Sequence, residues 1–373
     1  MRTAVVHDWL ITMGGAEKTL QSILELYPSP IYTLIADRKR LTGTVFSDKE
    51  IHSSFVQKFP FASKLYRNYL PFFPLAIEQF DLSDFDVILS SSHTTAKGVI
   101  IRPDQLHICY CHTPIRCAWD LYHQSIEGLD VTRRTIAKSI FHYIRNWDIA
   151  SLSRVDHFIA NSRYVAQRIK RHYNREATVI HPPVAVDLIP FREDKETFYL
   201  TLSRLVPYKK IDLIVEAFGR MPEKKLIVIG DGPEMSKIKS KAKKNVEILG
   251  YQPDSVVRDY LSKAQAFVFA ALEDFGIAAV EAQAAGTPVI AFGKGGVLET
   301  VVENVTGTFF PDQTSASMME AIKDFEKRRD QFDPHTIKRH SQQFSESRFA
   351  FEFKRFVEQK IQEFYESSYS GRR

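Results

Sequence analysis

Cysteine is scarce in this chain: three residues in 373, Cys109, Cys111 and Cys117, all in one short segment. An odd number so placed builds no disulfide framework, which fits a reduced compartment. Cys109-Tyr110-Cys111-His112 followed by Cys117 does bring soft ligands together, so a metal site is one reading. The spacing matches no paired zinc knuckle, and Cys109 and Cys111 fall on one strand, which favours small core thiols. Any apolar run near the roughly 20 residues needed to span a bilayer is also lacking. The stretch Ala4-Val5-Val6 behind Arg2 is too short for a signal peptide. The expected location is cytoplasmic, with room for peripheral contact at the inner face of a membrane. Charge of one sign is sparse as well, with 50 Lys+Arg against 45 Asp+Glu and a formal net charge of +5. So diffuse an excess argues against nucleic acid and favours anionic ligands or an anionic membrane face.

What is present is ordinary globular composition, 44% hydrophobic and 25% charged, in a length that suits about two domains. Short β-branched runs alternate with amphipathic stretches, the pattern of parallel sheets flanked by helices. Strands are expected at residues 3–7, 31–34, 86–90, 105–110, 155–160 and 178–180, with helices at 15–26, 136–153 and 163–173. His181-Pro182-Pro183 interrupts that rhythm, because a proline pair removes two backbone donors and holds the preceding residue extended. The pattern restarts with strands at 198–203, 226–229, 246–249, 266–270 and 289–291. Helices there begin near Lys209, Glu234, Asp254 and Ile277. The fold class is therefore α/β, with two Rossmann-like units at residues 1–181 and 182–345. Residues 346–373 read as a helix with Phe349, Phe353, Phe356, Ile361 and Phe364 near one face, packing back on the first unit.

The most informative stretch runs from Glu273 through Phe275, Gly276 and Ile277 to Glu281 and ends at Gly286 and Pro288. It follows the strand at 266–270, so Glu273 belongs to a loop at the carboxyl end of a sheet, where open α/β folds bind ligands. Gly276 lets a ligand approach the start of a helix whose free amides suit anionic or hydroxyl-rich groups. Glu281 lies further along that helix and faces the same cleft. Two carboxylates so placed could be an acid and base, a metal pair or a sugar-hydroxyl clamp. With no third ligand at metal spacing nearby, the clamp is favoured. Upstream, Arg204 follows a strand and Lys209 opens the next helix, a fork and a point charge suited to a diphosphate. The loops Gly293-Lys294-Gly295-Gly296 and Met13-Gly14-Gly15-Ala16-Glu17 present bare backbone for close approach to phosphate, one from each unit.

Together these residues resemble the retaining glycosyltransferases of GT-B architecture called group 1 or family 4. The likeness covers nearly the whole chain. It rests on Gly14 to Glu17, Ser203-Arg204-Leu205 to Lys209, Gly230-Asp231-Gly232-Pro233 and the two glutamates Glu273 and Glu281. Tyr110-Cys111-His112-Thr113-Pro114, with Arg116 and Trp119-Asp120, looks like the bacterial mannosyltransferases of O-antigen and exopolysaccharide synthesis. The resemblance implies that Arg204 and Lys209 neutralise the donor diphosphate and that Glu281 holds the ribose. It implies that Glu273, with the Phe275-Gly276-Ile277 backbone, orients the transferred sugar, while Gly14 and Gly15 approach the phosphate and His112 contacts the sugar near its reacting carbon. Tyr251 and Gln252 are expected beside the base. It also implies GDP-mannose as donor, a glycan or polyprenyl-linked acceptor, retention of configuration, and no obligatory metal or other cofactor. Gln283-Ala284-Ala285 departs from the family, whose members commonly carry a methionine in that helix.

Other readings remain open at this point. Gly230-Asp231-Gly232 after a strand prompts a dinucleotide oxidoreductase, but Met235 stands where its third glycine belongs. A nucleotide-sugar epimerase, a UDP-sugar-dependent transferase or a binding module would use similar diphosphate contacts. Between Phe55 and Phe80, aromatics interleave with Lys58, Lys64 and Arg67, as a surface resting on an anionic bilayer or cradling a lipid-linked acceptor would. Pro60, Pro71 and Pro74 break any long helix there, so core packing is the competing interpretation.

Overall fold

The computed structural model describes residues 1–370, with side chains through 366. The chain divides into two compact units, one of Met1–His181 with the segment from Phe349 onward, the other Pro182–Arg348. Each is built on its own parallel sheet with helices packed against it.

The first sheet has seven strands: β1 (Thr3–Leu10), β2 (Ile31–Ala36), β3 (Ile51–Ser53), β4 (Val87–Ser92), β5 (Leu106–Cys111), β6 (His157–Ala160) and β7 (Ala177–Val179). Their spatial order is β3-β2-β1-β4-β5-β6-β7, all parallel. Strand β3 escapes sequence reading because it is three residues long and its side chains are half-buried or exposed. Alternation along β1 serves two cores: Val5 packs with Leu20, Ile23 and Leu24 on one face, Ala4 and Val6 with Phe73, Ala76 and Ile77 on the other. The long helix Val131–Ala150 starts five residues before its expected position, where Asp130 caps it by accepting from the Arg133 amide.

The second sheet has six strands: β8 (Phe198–Leu202), β9 (Lys225–Ile229), β10 (Val246–Gly250), β11 (Ala266–Phe269), β12 (Val289–Phe292) and β13 (Gly307–Phe310). Its order is β10-β9-β8-β11-β12-β13, again all parallel. Gly307 carries no side chain to complete an apolar run, so β13 is not legible as a strand; a Cβ there would meet the Val289 carbonyl at 2.1 Å.

The C-terminal helix Glu346–Ser370 lays Phe349, Phe353 and Val357 into the core that contains β1, β4 and β5. Phe356, Ile361 and Phe364 pack at its margin, and Tyr110 meets the Phe349 ring at 5.9 Å. Phe353 is 1% exposed, so its truncation leaves a cavity the sheet cannot fill. Phe353→Ala is expected to lower the stability of the first unit by about 3–5 kcal/mol while sparing the second. Hydrogen exchange resolved by segment reads this, and equal loss of protection in both units would refute it.

Candidate active site

In a parallel sheet, the carboxyl ends of neighbouring strands open a crevice where the strand order reverses. The first sheet has that point between β1 and β4, the second between β8 and β11. Arg204, Lys209 and Glu273 lie beside the second of these places, while Tyr251 and Gln252 follow β10, two strands away.

In the second unit, β8 ends at Leu202 and is followed by Ser203 and Arg204. Arg204 is exposed, and no partner for its guanidinium is found among the described residues. Lys209 closes a single 3-10 turn, and Lys210 adopts a left-handed conformation (φ 56°) before the helix Ile211–Gly219, which starts two residues later than expected. The Lys209 ammonium forms an ion pair with Glu273, which lies in the loop after β11, both side chains being mostly covered. Strand-end neighbours thus bring a cation and an anion together from segments 64 residues apart in sequence. Desolvated as it is, this pair responds to any third charge placed beside it.

Glycine serves this loop by permitting close backbone approach. Gly276 caps the helix Ile277–Ala284 at φ 96°, a conformation costly for other residues. Phe275 is 3% exposed and packs on Phe344, so any contact it makes with a donor comes from its backbone. Ile277 and Glu281 are half-buried on the same helix. The Gly296 amide donates to the Glu273 carbonyl at 2.9 Å, and a Cβ on Gly296 would sit 2.2 Å from the Asp274 carbonyl. The glycines after β12 therefore brace the Glu273 loop, and the Gly296 amide is not left for phosphate. Gly230 and Gly232 are explained in the same way: a Cβ on either would strike the Ser203 or Leu205 carbonyl, at 1.8 and 2.4 Å. Their presence reflects contact between two loops and requires no dinucleotide. Tyr251 stands exposed after β10, two strands from β8, and the Gln252 amide folds back to donate to the Leu249 carbonyl at 2.8 Å. Gln283 donates to the Ala279 and Thr300 carbonyls, tying its helix to the next segment where a methionine could only pack.

In the first unit, Gly14 precedes the helix Gly15–Leu26 and donates its amide to Glu17 Oε2 at 2.9 Å, the one half of a capping box that a glycine can make. His112 follows β5 and is 9% exposed. Its backbone is pinned at both ends, the amide donating to the Ser92 carbonyl at 2.8 Å and the carbonyl accepting from Asn161 at 2.9 Å. Arg168 braces the loop that follows by donating to Thr113 and pairing with Asp120. Cys109 and Cys111 are buried on β5, and Cys117 is partly so.

Around His112 lie three buried polar groups that sequence reading did not single out, His7, Asp8 and Ser91, together with the half-buried His93 and with Glu17 of the glycine loop. The signal for them is two adjacent polar residues, His7-Asp8, inside an otherwise apolar strand. Asp8 accepts amide hydrogens from His93, Thr94, Thr95 and Ala96 at 2.6 to 2.9 Å and so holds the turn after β4. Burial pushes the Asp8 carboxyl up, yet the His93 ring and the amide donors outweigh it and hold the group below its ordinary value. Burial also lowers His93, so near neutral pH that ring is uncharged and the amides carry the stabilisation. Burial, with the His93 and His7 charges behind it, takes His112 well below the ordinary histidine value.

His107, on β5, is held neutral by burial in the same way and falls to about 4. The unfolded chain binds this proton near pH 6.5, so the group's stabilisation is complete above that value and lost as pH falls toward 4. The difference in unfolding free energy between wild type and His107→Gln is expected to shrink by on the order of 3 kcal/mol across that window. Urea titrations at several pH values measure it; a difference independent of pH would contradict the assignment.

Comparison with known proteins gives two adjoining matches. Residues 36–188 match the family described as Glycosyltransferase Family 4, and residues 189–343 match Glycosyl transferases group 1. The chain is similar to an uncharacterized glycosyltransferase of Methanocaldococcus jannaschii, 28% identical over 183 residues that cover 47% of this chain and 52% of that protein. It is also similar to the GDP-mannose-dependent monoacylated alpha-(1-6)-phosphatidylinositol monomannoside mannosyltransferase of Corynebacterium glutamicum, 31% identical over 180 residues, 40% of this chain and 47% of that protein. The chain spans about half the length of these curated relatives. Among solved structures, HepE of Anabaena in complex with UDP aligns with a TM-score of 0.71 at 16% identity, covering 96% of this chain and 100% of that one. Sucrose-phosphate synthase from Thermosynechococcus elongatus aligns at 0.72 and 16%, covering 97% and 99%. At that identity the structures speak for the fold. From the two matches and the shared fold, the chain belongs to the group 1 glycosyltransferases of GT-B architecture, with a family 4 segment ahead of its group 1 domain.

Proposed function

We propose that this protein is a retaining hexosyltransferase that moves mannose from GDP-mannose onto a glycan or polyprenyl-linked acceptor in the synthesis of a bacterial surface polysaccharide. The observation that carries the transferase reading is the Lys209–Glu273 pair at the β8/β11 switch point, with the unpaired Arg204 guanidinium on the adjoining loop. A nucleotide-sugar is a diphosphate joined to a polyol, and this arrangement offers cations to the first and a carboxylate to the second. Each charge-assisted contact is worth on the order of 1.5–3 kcal/mol.

In this reading the acceptor hydroxyl attacks the anomeric carbon from the face the diphosphate leaves. The new C–O bond forms as the C–O bond to phosphate breaks, and the hydroxyl proton passes to the departing phosphate oxygen. Arg204, Lys209 and the amides at the start of the Ile277–Ala284 helix stabilise the charge that develops on the diphosphate. Glu281 holds the ribose, Glu273 the sugar hydroxyls, Tyr251 and Gln252 flank the base, Gly15 approaches the phosphate and His112 contacts the sugar.

Support for GDP-mannose comes from the curated relatives of Corynebacterium glutamicum and Mycolicibacterium smegmatis, named as GDP-mannose-dependent mannosyltransferases. A UDP-sugar is the second reading, favoured by HepE having been solved with UDP and with UDP-glucose. A donor-hydrolysis panel of GDP- and UDP-sugars separates the two: GDP-mannose is expected to be consumed fastest, and preference for a UDP-sugar would replace it. Release of nucleotide that rises on adding a glycan acceptor distinguishes transfer from epimerisation. Lys209→Ala and Arg204→Ala are each expected to cut transfer by about 10²-fold or more with folding intact. Unchanged rates would remove both from the site.

Membrane contact belongs to the same proposal. No helix among the described residues is long and apolar enough to cross a bilayer. In the segment after β3, Phe59, Tyr66, Tyr69 and Phe73 turn into the core, while Phe61, Leu65, Phe72 and Leu75 stay exposed, Phe61 at 71%. Exposed Lys58, Lys64 and Arg67 lie among them, a composition suited to an anionic bilayer face. Reversing the three charges is expected to abolish flotation with anionic liposomes; equal partitioning of variant and wild type would dismiss the surface.

A further inference from the structure

His112 is held by a neighbour that decides which of its nitrogens carries the proton. Ser91 Oγ lies 2.8 Å from His112 Nε2 and 3.1 Å from His7 Nδ1, and His7 Nδ1 is also 3.1 Å from the Ser91 carbonyl. A carbonyl oxygen only accepts, so His7 Nδ1 must bear hydrogen in either charge state of that ring. The Ser91 hydroxyl, receiving from His7 or passed over by it, then has its own hydrogen free to donate to His112 Nε2. A neutral imidazole with Nε2 accepting has its single proton on Nδ1. No hydrogen-bond partner is found for His112 Nδ1 among the described residues, nor is it one of the buried unpaired atoms, so this N–H is the one left for a ligand.

Behind His7 the connection continues. His7 Nε2 is buried without a hydrogen bond and lies 3.9 Å from Glu17 Oε1, an electrostatic contact, while Glu17 Oε2 accepts the Gly14 amide. The glycine loop after β1 and the histidine after β5 are therefore ends of one chain of polar groups, with His7 at its centre and Ser91, 1% exposed, next to His112.

We infer that Ser91 is a positioning residue that, with His7 behind it, fixes His112 as a neutral hydrogen-bond donor through Nδ1, so that His112 offers a proton to a sugar oxygen and does not serve as a base. The inference rests on the reading that His112 contacts the donor sugar. A base role would need an unprotonated nitrogen facing the ligand, and the Ser91 hydroxyl occupies that nitrogen. Distance and burial make the arrangement rigid: Tyr110 packs edge-on to the His112 ring at 5.1 Å and His93 lies 6.3 Å away.

The test uses the full chain labelled with ¹⁵N-histidine and long-range ¹H–¹⁵N correlation spectra, which report the protonation of each ring nitrogen. In wild type, His112 is expected to show a protonated Nδ1 and an unprotonated Nε2; the opposite pattern overturns the inference without any variant. Ser91→Ala is expected to leave a mixture of both tautomers and to lower kcat about tenfold, as loss of an orienting partner does elsewhere. Donor KM should stay within about twofold, because the residue acts on the reacting group and not on nucleotide binding. Ser91→Thr, which keeps the hydroxyl, should restore the single tautomer and most of kcat. A Ser91→Ala protein with one Nδ1–H tautomer, or with KM and kcat lost together and no rescue by threonine, refutes the positioning role. His112→Ala is assayed in parallel: unchanged turnover there defeats the sugar-contact reading, whatever tautomer the spectra show.

Discussion

A parallel strand can be continued only by crossing back over the sheet, and crossovers that leave neighbouring strands in opposite directions open a gap between them. That constraint acts twice here, between β1 and β4 and between β8 and β11. Strand ends at those gaps carry backbone groups that no helix covers, so polar side chains collect there: His7, Asp8 and Ser91 in the first unit, Arg204, Lys209 and Glu273 in the second. The rest of each unit supplies two apolar faces that keep the strand ends in place.

The two gaps use different means to hold charge. In the second unit a side-chain cation meets a side-chain anion, and glycines at 230, 232, 295 and 296 let the supporting loops lie backbone to backbone. Both members of that pair keep some solvent contact. In the first unit Asp8 is fully buried and satisfied by four amides of one turn, which makes it part of the framework. Near it, the backbone of His112 is pinned by Ser92 and Asn161.

Much of this was legible because the period and the punctuation of the sequence are local. The helices Gly15–Leu26 and Arg163–Tyr173 are readable to the residue from apolar spacing and caps. Phe349 and Phe353 announce a buried face in the last helix by their spacing of four. The strands β3 and β13 were not legible, one too short and too wet, the other opened by a glycine whose reason lies on a neighbouring strand. For the site, Glu273, Lys209 and Arg204 stand out as charged residues just past strand ends, and His112 as a histidine before Thr-Pro. Ser91 does not, because a serine in a strand has no local signature; its meaning comes from a contact with His7 across 84 residues.

Read alone, the chain specifies most of its elements, its division at His181-Pro182 and the residue types offered at each strand end, since these follow from propensity, proline geometry and side-chain chemistry. Folding alone assigned partners. Lys209 to Glu273, Gly296 to the Glu273 carbonyl, Asp8 to the turn after β4 and Ser91 to His112 are all joined across sheet neighbours remote in sequence. Hydrogen bonds and ion pairs act over a few ångströms, and only the order of strands in space determines which groups come within that reach.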